Sequence, residues 1–391
     1  MERLRVAVIC DFAEEGWPSM DLVGEMLCAE LERRHAGALA VTRVRPEFIR
    51  RLSRRANGAP APRARFNVDR ALNRFFDYPR LLRRVRECYD VFHVVDHSYA
   101  HLVHELAAAR TVVTCHDLDA FRCLLADGER RTFPLRAMAR RILGGMRRAA
   151  CVSCDSVATR DALAANALVS RERLVVIPNG VHPACSPVPD EAADAALARM
   201  LGRAEGPELL HVGSTISRKR IDLLLRAFAA ARREYPALRL IKAGGALTVD
   251  QRRLARELGV TDAIVTMPFL APAELAALYR RVALVMLPSE AEGFGLPLAE
   301  ALACGTPVLA SDIAPLREVG GDVVDYCPVG DVAAWTAALL AKLRERVEQP
   351  ARWAERREAG IRRAACFSWA EYADRCAALY SELVGREAPR A

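Results

Sequence analysis

Short apolar runs alternate with longer amphipathic stretches along the whole chain. In the first half, Val6 to Asp11, Ala38 to Val44, Val91 to Asp96, Thr111 to Cys115, Ala150 to Cys154 and Leu174 to Ile177 read as strands. Pro178-Asn-Gly180, followed by Pro183, Pro187 and Pro189, breaks the pattern and marks a linker. A second series follows, with strands at Leu209 to Val212, Leu238 to Ala243, Ala263 to Met267, Ala283 to Leu287, Val308 to Ala310 and Val323 to Cys327. Helical spacing fills the gaps, as in Asp222 to Tyr235, where Leu224, Leu225, Phe228 and Ala231 share a face. Strands alternating with helices predict two parallel α/β units, residues 1–182 and 183–364, each binding ligands at the C-terminal ends of its strands.

The 391 residues, 52% of them hydrophobic, suffice for two cores. The apolar run at the N-terminus is too short for a signal peptide and passes straight into a strand, and no stretch approaches a membrane span. Residence in the cytoplasm is the expectation. Twelve cysteines scattered through predicted strands and helices suit buried thiols better than a disulfide framework. The net charge of +8 is uneven: fourteen arginines face three acids (Glu47, Asp69, Asp77) between Arg43 and Arg86. A second basic run holds Arg130, Arg131, Arg136, Arg140, Arg141, Arg147 and Arg148. Such clusters form either a solvated face or a contact for anionic lipid at the inner face of a membrane, a phosphorylated acceptor or nucleic acid. Nucleic acid is not expected, because no aromatic residues interleave with the arginines on a strand platform. Arg50 to Arg86, with Asn57-Gly-Ala-Pro-Ala-Pro62 inside it, reads as an exposed, mobile insertion.

The most specific chemistry lies in Glu292-Gly-Phe-Gly-Leu-Pro-Leu-Ala-Glu300. Pro297 suits the first helical position and Gly305 the residue past the end, so Pro297 to Cys304 is predicted as a short helix. Its first-turn N–H groups and dipole suit a phosphate or diphosphate, and Gly293 and Gly295 permit close approach. A second stretch, His211-Val-Gly-Ser-Thr-Ile-Ser-Arg-Lys-Arg-Ile-Asp222, leaves a strand and enters a helix. Arg218 and Lys219 there are placed to neutralise charge on a departing diphosphate.

The run from Pro288 to Asp312 resembles the donor-binding signature of the retaining glycosyltransferase family 4, with both acids matched and seven residues between them. The resemblance implies an α/β fold of the GT-B type: two Rossmann-like doubly wound domains facing a central cleft, with residues 365–391 as a helix crossing back to the first domain. It implies a hexosyltransferase-like enzyme that moves a sugar from a nucleotide diphosphate sugar to a glycan, lipid-linked or small-molecule acceptor. Retention would come from front-face attack, the leaving phosphate accepting the acceptor's proton. On the matched positions Glu292 takes sugar hydroxyls and Glu300 the nucleotide ribose, while Ser214, Arg218, Lys219, Gly293, Phe294, Gly295 and Leu296 complete the donor site. His116, in Thr114-Cys-His-Asp117, matches the family histidine that touches the donor sugar. His116, Lys219 and Glu292 are thus the expected catalytic set. Neither metal nor cofactor is expected, since helix dipole and basic side chains do that work. The chain departs from the family at three places: Ser214 stands where an arginine usually follows the glycine, Lys219-Arg220 replaces a lysine-glycine pair, and Gly16 alone remains of a diglycine.

Other readings compete. A glycosidase needs two carboxylates flanking the scissile bond, one with a raised pKa, and the diphosphate features argue against it. A non-catalytic nucleotide-sugar-binding scaffold subunit or a sugar-nucleotide epimerase would share the architecture. His97, His101 and His104 could share a helical face and, with His93, hold a metal; a strand, turn and helix reading instead puts Asp96 and His97 at a strand end. Cys151-Val-Ser-Cys154 lacks the second pair a zinc site needs.

Overall fold

The computed structural model describes residues 3–53, 62–125 and 132–387. They divide into two compact units, residues 1–180 with 369–391 and residues 181–368. In the first unit β1 (Leu4–Ile9), β2 (Leu39–Val44), β3 (Val91–Val94), β4 (Thr111–Cys115), β5 (Cys151–Cys154) and β6 (Leu174–Val176) form a parallel sheet ordered β2-β1-β3-β4-β5-β6. In the second, β7 (Glu208–Val212), β8 (Arg239–Ala243), β9 (Ile264–Met267), β10 (Leu284–Leu287), β11 (Val308–Ser311) and β12 (Asp325–Cys327) are ordered β12-β11-β10-β7-β8-β9. All twelve strands fall where the apolar runs predict them, with ends shifted by a residue or two.

Both faces of each sheet are covered. Val6, Val8 and Cys10 of the β1 segment enter one core and Ala7 and Ile9 the opposite one; Leu209 and Leu210 of β7 divide the same way. This is why the strands read as continuous apolar runs rather than alternating ones. The helix Trp369–Glu387 packs on the first sheet through Trp369, Tyr372, Cys376, Tyr380 and Leu383, a helical stripe sharing a core with Val6 and Val8.

The segment after β2 corrects the expectation of a mobile insertion. Residues 54–61, which take in most of the Asn57 to Pro62 stretch, lie outside the described residues, as do Arg130 and Arg131. From Arg63 onward, however, the chain is continuously helical, Arg63–Leu72, a π turn Asn73–Asp77, then Tyr78–Val85. Three buried polar side chains hold it. Asp69 accepts from the backbone N–H groups of Leu52 and Ser53 at 3.0 and 2.8 Å, Asn73 pairs with the backbone of Ile49, and Tyr78 donates to the carbonyls of Cys10 and Val44. Most of the arginines lie outward, while Arg74 turns in against Glu15 and Ser98, so a high arginine count masked an amphipathic helix.

In each unit the strand order reverses once, between β1 and β3 and between β7 and β10. Loops leaving the C-terminal ends of those strands diverge to opposite faces and open a crevice. The loops that carry Lys219 and Glu292 leave the switch strands of the second unit, whereas His116 follows β4.

Candidate functional site

In the second unit the loop after β7 carries Gly213 to Arg220 and the loop after β10 carries Pro288 to Gly295. These are the two loops of the strand-order switch. They are stitched together by the Glu290 N–H donating to the Arg218 carbonyl at 2.8 Å and Arg218 Nη1 donating to the Ala291 carbonyl at 2.8 Å. Lys219 Nζ then donates to Glu292 Oε1 at 2.6 Å, and Arg218 Nη1 lies 3.5 Å from Glu292 Oε2. Burial works against the charge on Glu292, but the Lys219 and Arg218 cations outweigh it and hold the carboxyl below its usual range. The group is a fixed anion between two cations, not a proton carrier.

Gly295 caps the helix Leu296–Ala303 at φ +97°, and a Cβ there would lie 2.5 Å from Leu316 Cδ2. A side chain is excluded on both counts. Phe294 turns into the core, edge-to-face with Phe367 at 5.4 Å, and Leu296 is half-buried as the first helical residue. Glu300 also faces inward. Its Oε2 accepts from the Tyr279 hydroxyl at 2.9 Å, and burial pushes the carboxyl up, only partly offset by that bond. Glu292 and Lys219 are therefore brought together, while Glu300 makes a separate contact with Tyr279. Ser214 follows Gly213 and is half-buried. Arg220 takes the left-handed backbone (φ +49°) that a glycine would ease, and folds back on Asp222 with bonds of 3.0 and 2.9 Å.

Two buried groups beneath these loops escaped the sequence reading. His211, at the end of β7, donates from Nδ1 to the Met286 carbonyl at 2.9 Å, while Nε2 is buried without a partner. Burial first, then the nearby Lys242 and Lys219, push the ring down to about 3, so it is neutral. Lys242, its register neighbour on β8, is fully buried and bonds only to backbone carbonyls. The visible signal was a lysine in the otherwise apolar run Leu240-Ile-Lys-Ala, just before Gly244-Gly245.

In the first unit His116 leaves β4 with both ring nitrogens engaged. Nδ1 lies 2.6 Å from Asp155 Oδ2 and Nε2 2.7 Å from the Val95 carbonyl. Burial opposes protonation, but Asp155, then Asp96 and the Val95 carbonyl, push the imidazole up to about 9. No ring nitrogen remains for a sugar hydroxyl. Asp155, 39 residues away in sequence, had no motif to announce it. Asp11, at the end of β1, has a buried Oδ1 without a partner, and burial with Asp96 beside it pushes its carboxyl up to about 7.

The remaining histidines diverge. His93 contacts the Tyr380 hydroxyl and Thr114 Oγ1, His101 the Arg74 carbonyl and His104 the Arg141 carbonyl; His97 receives the His116 N–H at 3.3 Å. Cys151 and Cys154 lie within β5, where residues three apart point to opposite faces. Among the described residues no helix is long and apolar enough to cross a membrane.

Comparison with known proteins covers both halves. Residues 199–359 match the family model described as Glycosyl transferases group 1, and residues 25–184 that described as Glycosyltransferase Family 4. The chain is 31% identical over 320 residues to the D-inositol 3-phosphate glycosyltransferase of Mycolicibacterium smegmatis, covering 76% of this chain and 68% of that one. It spans about half the length of several other curated relatives bearing that name. Among solved structures it resembles sucrose-phosphate synthase from Thermosynechococcus elongatus (TM-score 0.73, 20% identity, 98% of this chain and 100% of that one). It also resembles Anabaena Alr3699/HepE, solved in complex with UDP-glucose (TM-score 0.71, 17% identity, 97% and 100%).

Proposed function

The chain belongs to the group 1 glycosyltransferases of family 4 and has their α/β GT-B fold, and on that premise we propose that it transfers a sugar from a nucleotide diphosphate sugar with retention of anomeric configuration. The observation that carries this reading is the Lys219–Glu292 pair with Arg218 beside it, at the strand-order switch of the second unit. Two cations and the N-terminus of the helix Leu296–Ala303 suit a diphosphate, whose charge grows as the bond to the sugar breaks.

Glu292 has a different task. A carboxylate held ionised by two cations is a poor base, so its role in this reading is to fix Lys219 and accept from sugar hydroxyls. The bond from C1 of the sugar to the diphosphate oxygen breaks, the acceptor oxygen bonds C1 on the same face, and the leaving phosphate takes the acceptor's proton. That course needs no protein nucleophile. The UDP-glucose complex of the Anabaena neighbour supports a nucleotide sugar as donor. For the acceptor side, a lipid-linked acceptor at an anionic membrane is favoured by the exposed stripe Val68, Leu72 and Phe76 on the arginine-rich helical segment.

The test is a panel of nucleotide sugars offered to the full chain. Turnover or donor hydrolysis with the anomeric configuration kept is expected. Binding without turnover on any acceptor would favour a scaffold subunit, and a new sugar nucleotide an epimerase.

A further inference from the structure

We propose that Lys242 is a positioning residue for the anionic donor, gathering the backbones of the loops after β7 and β8 around one ammonium so that their N–H groups face outward as a diphosphate nest. The inference rests on the nucleotide-sugar reading above. Lys242 Nζ donates to the carbonyls of Gly213, Gly244 (3.0 Å) and Gly245 (3.1 Å), with Ala243 further off at 3.3 Å. Three N–H bonds of one ammonium thus tie two loops at a single point.

Peptide planarity gives the consequence. In a trans peptide the N–H of the next residue points opposite to the carbonyl. With the carbonyls of Gly213, Gly244 and Gly245 drawn to Lys242, the N–H groups of Ser214, Gly245 and Ala246 point away from it. Among the described residues none of these three donates to a protein acceptor. Successive outward N–H groups of this kind form an anion-binding nest. The glycines are needed for it: Gly244 (φ +92°) and Gly245 (φ +108°) hold conformations a side chain resists, and a Cβ on Gly244 would lie 2.8 Å from the Gly213 oxygen.

Electrostatics point the same way. The charged and titratable groups facing Lys242 are Lys219 on the loop after β7 and His211 on β7, with Glu292 and Arg218 around Lys219. Burial and the Lys219 charge push the Lys242 ammonium down to about 8. Glu292 pairs with Lys219, but among the described residues Lys242 bonds only to backbone carbonyls, so the two ammoniums still repel and an arriving diphosphate relieves that repulsion.

Proton linkage provides a readout that a structural role would not move. UDP, ADP and GDP are titrated in turn into the full chain by calorimetry at pH 7 and pH 8, in two buffers of different ionisation enthalpy. At pH 8 binding should draw in about half a proton, and much less at pH 7. Lys242→Gln, which keeps N–H donors without the charge, should take up none and bind on the order of tenfold more weakly; Lys242→Arg should restore affinity without the proton uptake. Equal affinity and equal uptake in Lys242→Gln overturn the proposal. Should that variant not fold, absence of uptake by the unmodified chain at pH 8 overturns it alone. If Lys219→Met abolishes binding while Lys242→Gln does not, the nucleotide-sugar reading stands and only Lys242 loses its role. If the unmodified chain binds none of the three nucleotides, both fall.

Discussion

The C-terminal strand ends of the two units share a backbone plan and differ in charge. In the second unit Arg218 and Lys219 flank one carboxylate, Glu292, with Lys242 near Lys219; in the first, Asp96 lies beside His97 and Asp11, and Asp155 pairs with His116. A parallel sheet supplies the crevice in both cases, but the loops decide what it attracts. The cation-rich end suits a polyanion, and the acid-rich end repels one. The proposed placing of a diphosphate in residues 181–368 thus rests on side chains and not on the fold.

Removing the central anion of the cation-rich site should have the largest effect. Glu292→Gln leaves Lys219 without its partner, and turnover on the active donor should fall by about 10²–10³-fold with the fold intact by circular dichroism. Unchanged turnover would break the contrast at its centre.

The pH response of the two units should differ in sign. His116, pushed up to about 9 from its usual 6.5, stabilises the first unit fully below about pH 6.5 and loses that contribution as pH rises through 9. The Glu292 carboxyl, held below its usual value, stabilises the second unit above the ordinary carboxylate range and loses that contribution in acid. Asp155→Asn should therefore cost on the order of 2 kcal/mol at pH 7 and progressively less toward pH 9.5. Hydrogen exchange read separately for each unit checks this. A variant equally destabilised at both pH values, or destabilised in residues 181–368, would contradict the assignment.

The smallest effect concerns the outer face of the first unit. Replacing Val68, Leu72 and Phe76 together with serine should lower co-sedimentation with anionic vesicles about threefold to tenfold and leave soluble-donor binding untouched. Binding of the unmodified chain that ignores salt and lipid charge would remove the membrane from the reading.

Much of the candidate site's local geometry was legible because its signals are local. Gly293, Gly295, Pro297 and Gly305 are spaced along one turn and one helix, and Arg218-Lys219 sits between a strand and a helix. Lys242 was not legible. Its inward orientation depends on the pairing of β8 with β7 and β9, and its partners are backbone carbonyls that no sequence pattern reports. The same holds for His116, whose matched position is plain but whose nitrogens are taken by Asp155 and Val95. The helices from Arg63 to Val85 were obscured because their anchors, Asp69, Asn73 and Tyr78, are polar residues that look like surface.

The sequence by itself determined the strand and helix alternation, the two α/β units and the family-defining loop, because apolar period, glycine conformation and helix ends act over a few residues. Only the tertiary structure decided which cations meet Glu292, that Glu300 turns to Tyr279, and that a buried lysine underlies the loops. These depend on strand order and burial, which bring distant residues together and set the charge each can carry.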